Sequence, residues 1–227
     1  MQVPPIDLKR NAEASRYALL RRLAPAIRHQ MAGSFQPVTL MAAIIEKRLL
    51  AAAPDLPALV KTSGEVRALA AAATRSSLDS MAWIAPDPEA RVALGKGIQD
   101  ALHLVATELS FRGFKCVNQT EGLATEVALH HVRGVFVAAL LALTDAAASP
   151  ANVLVTAGRD VHHFTVTIAL AAAEPAAASA PNEEFHVGLA TYRKLDWDDA
   201  EAMATADGVA LTHAATTLEL CLPIASS

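Results

Sequence analysis

Aromatic residues, cysteines and long apolar runs are all scarce in this chain of 227 residues. Hydrophobic residues make up 53% of it, but many are alanines, and Phe, Trp and Tyr together reach only 4%. This composition favours closely packed helices. Two cysteines, Cys116 and Cys221, are too few for a disulfide framework, and their strand-like surroundings predict buried thiols.

Neither a membrane segment nor a nucleic-acid partner is expected. No apolar run approaches the ~20 residues needed to cross a bilayer, and residues 1–16 lack the apolar core of a signal peptide. The chain contains 19 Lys and Arg and 23 Asp and Glu, which gives a formal net charge of −4. It therefore has no excess of basic residues that would indicate DNA or RNA binding. We therefore expect a cytoplasmic protein.

Metal-ligand spacings are missing as well. The consecutive pairs His130-His131 and His162-His163 have no Cys-x-x-Cys or His-x-x-x-His pattern beside them. Consecutive side chains diverge on a helix and oppose each other on a strand. We expect no metal site.

The most informative stretch is a helical pattern over residues 15–50 with one histidine outside its apolar stripe. The stripe comprises Leu20, Leu23, Ile27, Met31, Phe35 or Ser34, Val38, Met41, Ile45 and Leu49. His29 lies two residues from both Ile27 and Met31, about 200° round the helix from each. It should face solvent between Arg28 and Gln30. A water-facing imidazole can be phosphorylated and pass the phosphoryl group on; the alternative is an ordinary surface histidine.

A second helix is predicted over residues 59–84, after prolines at 54 and 57. Two antiparallel helices cannot bury both apolar faces alone. Pairing two hairpins into a four-helix bundle solves this and predicts a homodimer, although the rest of the same chain could also cover the seam. Prolines at 86 and 88 predict a domain boundary, which gives domains over residues 1–85 and 86–227.

The second domain shows mixed helix and strand patterns, so the chain is predicted to be α+β. The predicted helices cover residues 88–112, ending at Gly113, 125–148 and 198–205, the last capped by the acidic cluster Asp196, Asp198 and Asp199. The predicted strands cover residues 114–119, 152–157, 161–170, 209–213 and 217–223, with a turn at 158–160. Residues 171–182, low in complexity, are predicted to form a mobile loop.

The run HQMAGSFQP, His29 to Pro37, resembles the phospho-acceptor box of two-component sensor histidine kinases with Gln-Pro about two turns after the histidine. The phrases ELSFRGFKC and ADGVALTHAATTLELCLPI resemble parts of that family's ATP-binding domain. The resemblance implies a helical hairpin that forms a four-helix bundle on dimerisation, followed by a histidine-kinase-ATPase-like α/β sandwich. It implies His29 as phospho-acceptor, with Arg28 and Gln30 flanking it. Gln36 and Pro37 would shape and bend the helix.

The nucleotide elements of that family are altered here. The helix over residues 135–148 has no asparagine to hold magnesium; Thr144 or Asp145 takes that slot, and a solvated surface charge is the ordinary role for Asp145. No Asp-x-Gly-x-Gly box follows residue 170, and only Gly188 remains of the second glycine-rich box. Because these nucleotide-binding elements are altered, neither ATP nor magnesium is expected as a cofactor.

The histidine box also departs from the family. Gln30 replaces the acidic residue that takes a proton during attack on ATP, and Gly33 replaces the Asn or Thr that orients water. Phosphotransfer with a response-regulator receiver domain requires fewer chemical groups on this chain, because the receiver brings its own magnesium. Basic residues on the same helix, Arg21, Arg22, Arg28 and Lys47, would supply positive charge, or would form an ordinary solvated face.

We therefore predict that the protein is a histidine phosphotransferase-like phosphorelay protein that acts through His29. The first alternative is a non-catalytic pseudo-histidine-kinase that regulates a receiver or a kinase by binding. The second is a divergent but active histidine kinase.

Overall fold

The computed structural model describes residues 5–84, 87–172 and 194–224, except for the side chains of residues 5 and 6. The helices are α1 (Pro5–Leu49), α2 (Leu56–Ile84), α3 (Leu94–Phe111), α4 (Val137–Ala146) and α5 (Trp197–Ala206), and a π-helical segment (His131–Phe136) leads into α4. The strands are β1 (Arg91–Ala93), β2 (Lys115–Asn118), β3 (Glu126–Ala128), β4 (Ala151–Arg159), β5 (His163–Ala172), β6 (Ala210–His213) and β7 (Thr217–Pro223). The α+β prediction is confirmed, since a helical hairpin precedes a mixed sheet with helices.

The chain forms two compact units. The hairpin unit comprises Ala24–Ala85, and the sheet unit comprises Met1–Leu23 together with Pro86–Ser227. The described residues 5–23 thus belong to the sheet unit, whereas the sequence predicts a single N-terminal domain over residues 1–85. Helix α1 continues through Pro25 and Pro37 without interruption. None of the described helices is both long enough and apolar enough to cross a membrane.

A five-stranded sheet in the order β2-β4-β5-β7-β6 organises the sheet unit. Strand β2 runs parallel to β4, and the other neighbours are antiparallel. Alternating residues of the three central strands are buried: Val153, Val155, Phe164, Val166, Ile168, Leu218, Leu220 and Leu222. The seven residues from Val137 to Leu143 in α4 are at most 1% exposed. The core therefore lies between one face of the sheet and the helices, as alternation of period two requires.

Two predicted helices begin later than the sequence suggests. Residues 91–93 and 126–128 form the short strands β1 and β3, which pair antiparallel with Arg91 opposite Ala128. Three residues are too few for an alternating pattern to stand out from the adjoining helical one. The end of α3 is as predicted, with Gly113 at a φ of +79°.

The β4–β5 turn also lies slightly beyond its predicted place, because β4 extends to Arg159. The Asp160 carboxylate accepts hydrogen bonds from the backbone N–H groups of His162 and His163, both at 2.7 Å. Cys116 and Cys221 are free and half-buried. The predicted mobile loop lies, from residue 173 onward, outside the described residues, and so does Gly188.

Candidate functional site

His29 lies on α1 in the hairpin unit, and its side chain is exposed, as are those of Arg28 and Gln30. Ile27 on one side is 5% exposed and Met31 on the other is half-buried. The predicted orientation of His29 toward solvent is therefore confirmed for the single chain. Its role as a phospho-acceptor stays a prediction.

Open space surrounds Gly33, one turn after His29. A Cβ atom added at Gly33 would meet no atom within 4 Å. Gln36, about two turns after His29, is exposed. The Ser34 hydroxyl donates to the carbonyl of Met31 at 2.7 Å. The box thus presents an accessible nucleophile with amide neighbours and no adjacent carboxylate.

Asp145 is buried in the sheet unit, which corrects the expectation of a solvated surface charge. Its side chain is 4% exposed. Oδ1 lies 3.2 Å from Nη2 of Arg22 and 2.8 Å from Nη2 of Arg112, and Oδ2 accepts the backbone N–H of Leu195 at 3.1 Å. Both carboxylate oxygens are occupied by donors from three different chain segments.

Arg22 is buried as well, so it does not belong to a solvated basic face. Its side chain is 2% exposed. Nε and Nη2 donate to Oε1 of Glu108 at 3.0 and 2.5 Å. Burial lowers the pKa of Arg22, but the hydrogen bond and charge of Glu108 and the charge of Asp145 outweigh it and raise the pKa overall. The guanidinium stays charged inside the protein.

Two further contacts hold the first half of α1 in the sheet unit. The Ser15 hydroxyl donates to Oδ1 of Asp199 at 2.9 Å, and Nη2 of Arg16 lies 2.5 Å from Oδ1 of Asp207. Asp196 and Asp199 form a reciprocal capping box at the start of α5. The predicted capping role of the acidic cluster is confirmed. The Asp199 carboxylate also accepts the hydrogen bond from Ser15 of α1.

The rings of His130 and His131 do not diverge as the sequence suggests. Their centroids are 4.4 Å apart in an edge-to-face arrangement, at the point where the π-helical segment begins. Nε2 of His131 lies 3.2 Å from the carbonyl of Asp207. Among residues 5–84, 87–172 and 194–224, no cluster of three or more His, Cys, Asp or Glu could hold a metal ion.

We expect acid to weaken the sheet unit through His131. Burial, with the neighbouring charge of His130, lowers the pKa of His131 below its usual value. Protonation is therefore easier in the unfolded chain, and stability falls as the pH drops from about 6.5 through the lowered pKa. Urea unfolding at pH 7.5 and 5.5 should show a smaller loss in His131→Gln than in the wild type.

The exposed His103 of α3 provides the control for this comparison. His103→Gln should lose as much stability on acidification as the wild type. An equal loss in His131→Gln would contradict the assignment.

Comparisons with known proteins reveal structural likeness only. No family model matches the chain. No curated protein sequence matches it either. The 1.7 Å structure of a bacterial phosphotransferase is 13% identical, with 98% of each chain covered and a TM-score of 0.36. A histidine kinase from Burkholderia phymatum is 18% identical, with 99% of this chain and 100% of that chain covered and a TM-score of 0.40.

Single domains are similar to part of the chain. The catalytic domain of the histidine kinase ThkA is 9% identical over 60% of this chain and 93% of its own, with a TM-score of 0.41. At such identities and TM-scores, these likenesses assign no activity to the protein.

Proposed function

We propose that this protein is a histidine phosphotransferase of a phosphorelay, in which His29 exchanges a phosphoryl group with the receiver domain of a response regulator. The observation that carries the proposal is the exposed imidazole of His29, beside Arg28 and Gln30, on a helix of a two-helix hairpin. Exposure of the attacking imidazole is the first requirement of transfer between two proteins.

The transfer uses few groups of this chain. The lone pair of the unprotonated ring nitrogen attacks the phosphorus of the receiver's aspartyl phosphate. A phosphorus–nitrogen bond forms, the bond from phosphorus to the aspartate oxygen breaks, and the carboxylate leaves with the electron pair. The proton on the other ring nitrogen stays on the imidazole. The reverse reaction returns the phosphoryl group. Arg28 attracts the phosphorylated partner, and Gln36 shapes the surface.

In this proposal the chain itself binds neither ATP nor magnesium. Asp145, at the slot of the family's magnesium-binding asparagine, has both carboxylate oxygens committed to Arg22, Arg112 and Leu195. Gln30 cannot take a proton as an acidic residue would. The loss of a carboxylate base and the occupation of Asp145 both favour transfer from a receiver over attack on ATP.

A cytoplasmic homodimer is part of the proposal. In this chain, many large apolar side chains of the hairpin unit are more than 45% exposed: Phe35, Leu40, Leu49, Leu50, Leu56, Val60, Leu78, Met81 and Ile84. Exposure on this scale favours a protein partner. A second hairpin, arranged as a four-helix bundle, would cover such side chains.

Phosphotransfer assays test the proposal. Receiver domains from the same organism are phosphorylated with acetyl phosphate, freed of reagent and mixed with the protein. The wild type should gain acid-labile, alkali-stable phosphate and His29→Ala none, while His103→Ala, at another exposed helical histidine, transfers normally. Magnesium–ATP alone should leave His29 unphosphorylated.

Phosphate uptake by His29→Ala would contradict the role of His29. A wild type that binds a receiver without taking up phosphate would instead identify a regulator that acts by binding alone.

A further inference from the structure

The π-helical segment brings two consecutive imidazole rings together. It begins at His131, and the ring centroids of His130 and His131 lie 4.4 Å apart, edge to face. π-helical turns are rare, and they occur frequently at functional sites. The sequence-based expectation of no metal site assumed that consecutive side chains diverge on a helix. That assumption does not hold at this position.

One ring nitrogen of His131 has its role fixed by a hydrogen bond. Nε2 lies 3.2 Å from the backbone carbonyl oxygen of Asp207, and a carbonyl oxygen accepts but cannot donate. Nε2 therefore carries the proton in the neutral ring, and Nδ1 carries a lone pair. A carbonyl group that accepts one ring N–H is the usual support of a histidine whose other nitrogen binds a metal ion.

The Nδ1 atoms of both histidines are buried. His131 is 7% exposed and His130 is half-buried, but neither Nδ1 atom is accessible to solvent. Within the part of the chain that the structure describes, neither atom has a hydrogen-bond partner. Buried polar atoms without a partner are costly and uncommon in native proteins. A cation held between the rings would satisfy both nitrogens at once.

The number of ligands indicates which metal ion fits. Among the described residues, no group of three or more His, Cys, Asp or Glu side chains could hold a metal ion. Zn²⁺ in structural sites almost always takes four ligands, and Mg²⁺ takes six, mostly oxygens. Copper(I) and silver(I) bind two nitrogen ligands in a line, and imidazole is a suitable ligand for copper. Two imidazoles therefore suit a soft monovalent ion.

The surrounding charges also favour a monovalent ion. Asp207 places a negative charge near the ring of His131, and Arg91 places a positive charge there. These two charges oppose each other at the ring, so they provide no large negative potential to offset a divalent ion. Removing one unit of charge from water costs less than removing two.

We propose that Nδ1 of His130 and Nδ1 of His131 form a two-coordinate site for copper(I), with silver(I) as its redox-inert analogue. Both rings bind as neutral imidazoles that keep a proton on Nε2, so binding releases no proton. The backbone of Asp207 holds His131, and the Asp207 carboxylate contacts Arg16 of α1. Because a bound ion stabilises only the folded chain, silver(I) should raise the unfolding temperature.

Titration with silver(I) tests the site in a protein without cysteines, Cys116→Ala with Cys221→Ala, because thiolates are soft ligands that would compete for the ion. This reference protein should bind silver(I), and copper(I) supplied without oxygen should displace it. The Nδ1 resonances of His130 and His131 should shift in nitrogen-15 NMR spectra. In the reference background, His130→Ala and His131→Ala should each weaken silver binding by about 100-fold.

The second consecutive pair, His162-His163, provides the matched control. Its ring centroids are 6.3 Å apart, and His162 is exposed. His162→Ala in the same background should bind silver(I) as tightly as the reference protein. The NMR measurement keeps His130 and His131 intact, so its result does not depend on whether the alanine variants fold.

Three results would overturn the site. The first is silver binding that leaves both Nδ1 resonances unshifted. The second is equal silver affinity in the reference protein, His130→Ala and His131→Ala. The third is a shift confined to exposed histidines such as His103 and His162, which would show binding to surface imidazoles only. Tighter binding of zinc than of silver(I) would overturn the two-coordinate assignment, because zinc requires further ligands.

Discussion

Replacing Arg22 by methionine should lower the free energy of unfolding by about 3–5 kcal/mol, because it leaves Asp145 and Glu108 with Arg112 as their one remaining arginine partner. The guanidinium is 2% exposed and reaches both carboxylates, at 3.2 and 2.5 Å. Domains of ordinary size are stable by about 5–15 kcal/mol. The loss would therefore remove a large part of the total and lower the urea midpoint accordingly.

The neighbouring Arg21 offers a matched control. It is exposed and contacts the ring of Tyr17, and exposed positions change stability little. Arg21→Met should stay within about 0.5 kcal/mol of the wild type. A double variant, Arg22→Met with Asp145→Asn, should recover part of the loss, since the amide carries no charge to bury. Equal stabilities of Arg21→Met and Arg22→Met would show that the buried ion pairs contribute nothing.

A fragment of residues 86–227, cut at the predicted domain boundary, should fail to fold cooperatively. It lacks Leu19 and Leu23, whose burial contributes about 1.5–3 kcal/mol each. It also leaves four carboxylates, at residues 108, 145, 199 and 207, without their contacts to α1. Together these losses approach the whole stability of a domain. Circular dichroism during heating would show a broad transition in place of a sharp one.

Joining residues 1–24 to residues 86–227 through a flexible glycine–serine linker gives the matched comparison. This fusion lacks the hairpin unit but keeps the helix and its contacts, so it should unfold in a single sharp transition. A fragment of residues 86–227 that unfolds as sharply, and at the same temperature, would show that residues 1–23 are dispensable.

Local patterns account for the elements that the sequence predicts well. The three-and-four spacing over residues 15–50 predicts the long helix and the exposure of His29 because burial repeats every turn. The alternation around residues 161–170 and 217–223 predicts β5 and β7 because one face of each strand is covered. Both signals depend on neighbours a few residues away, which a single sequence contains.

The contacts that distinguish this protein depend on distant residues. Arg22 meets Glu108 and Asp145 across 86 and 123 positions of the chain. In the helical pattern Arg22 lies beside the stripe residue Leu23, and an arginine there looks like an ordinary solvated charge. Periodicity shows that a position is polar. It does not show whether the charge at that position is solvated by water or paired with a buried carboxylate. The pairing of β1 with β3 could not be predicted for the same reason, since it joins residues 91–93 to the distant residues 126–128.

Asp145 binds Arg22, Arg112 and the backbone of Leu195, and this has a consequence for how the sequence can vary among descendants of a common ancestor. Loss of the aspartate alone would leave Arg22 and Arg112 with Glu108 as their one remaining carboxylate, and loss of either arginine alone would leave two carboxylates against one arginine. Positions 22, 108, 112 and 145 should therefore vary together or stay constant. In an alignment of close relatives, we expect apolar residues at 22 to coincide with uncharged residues at 145.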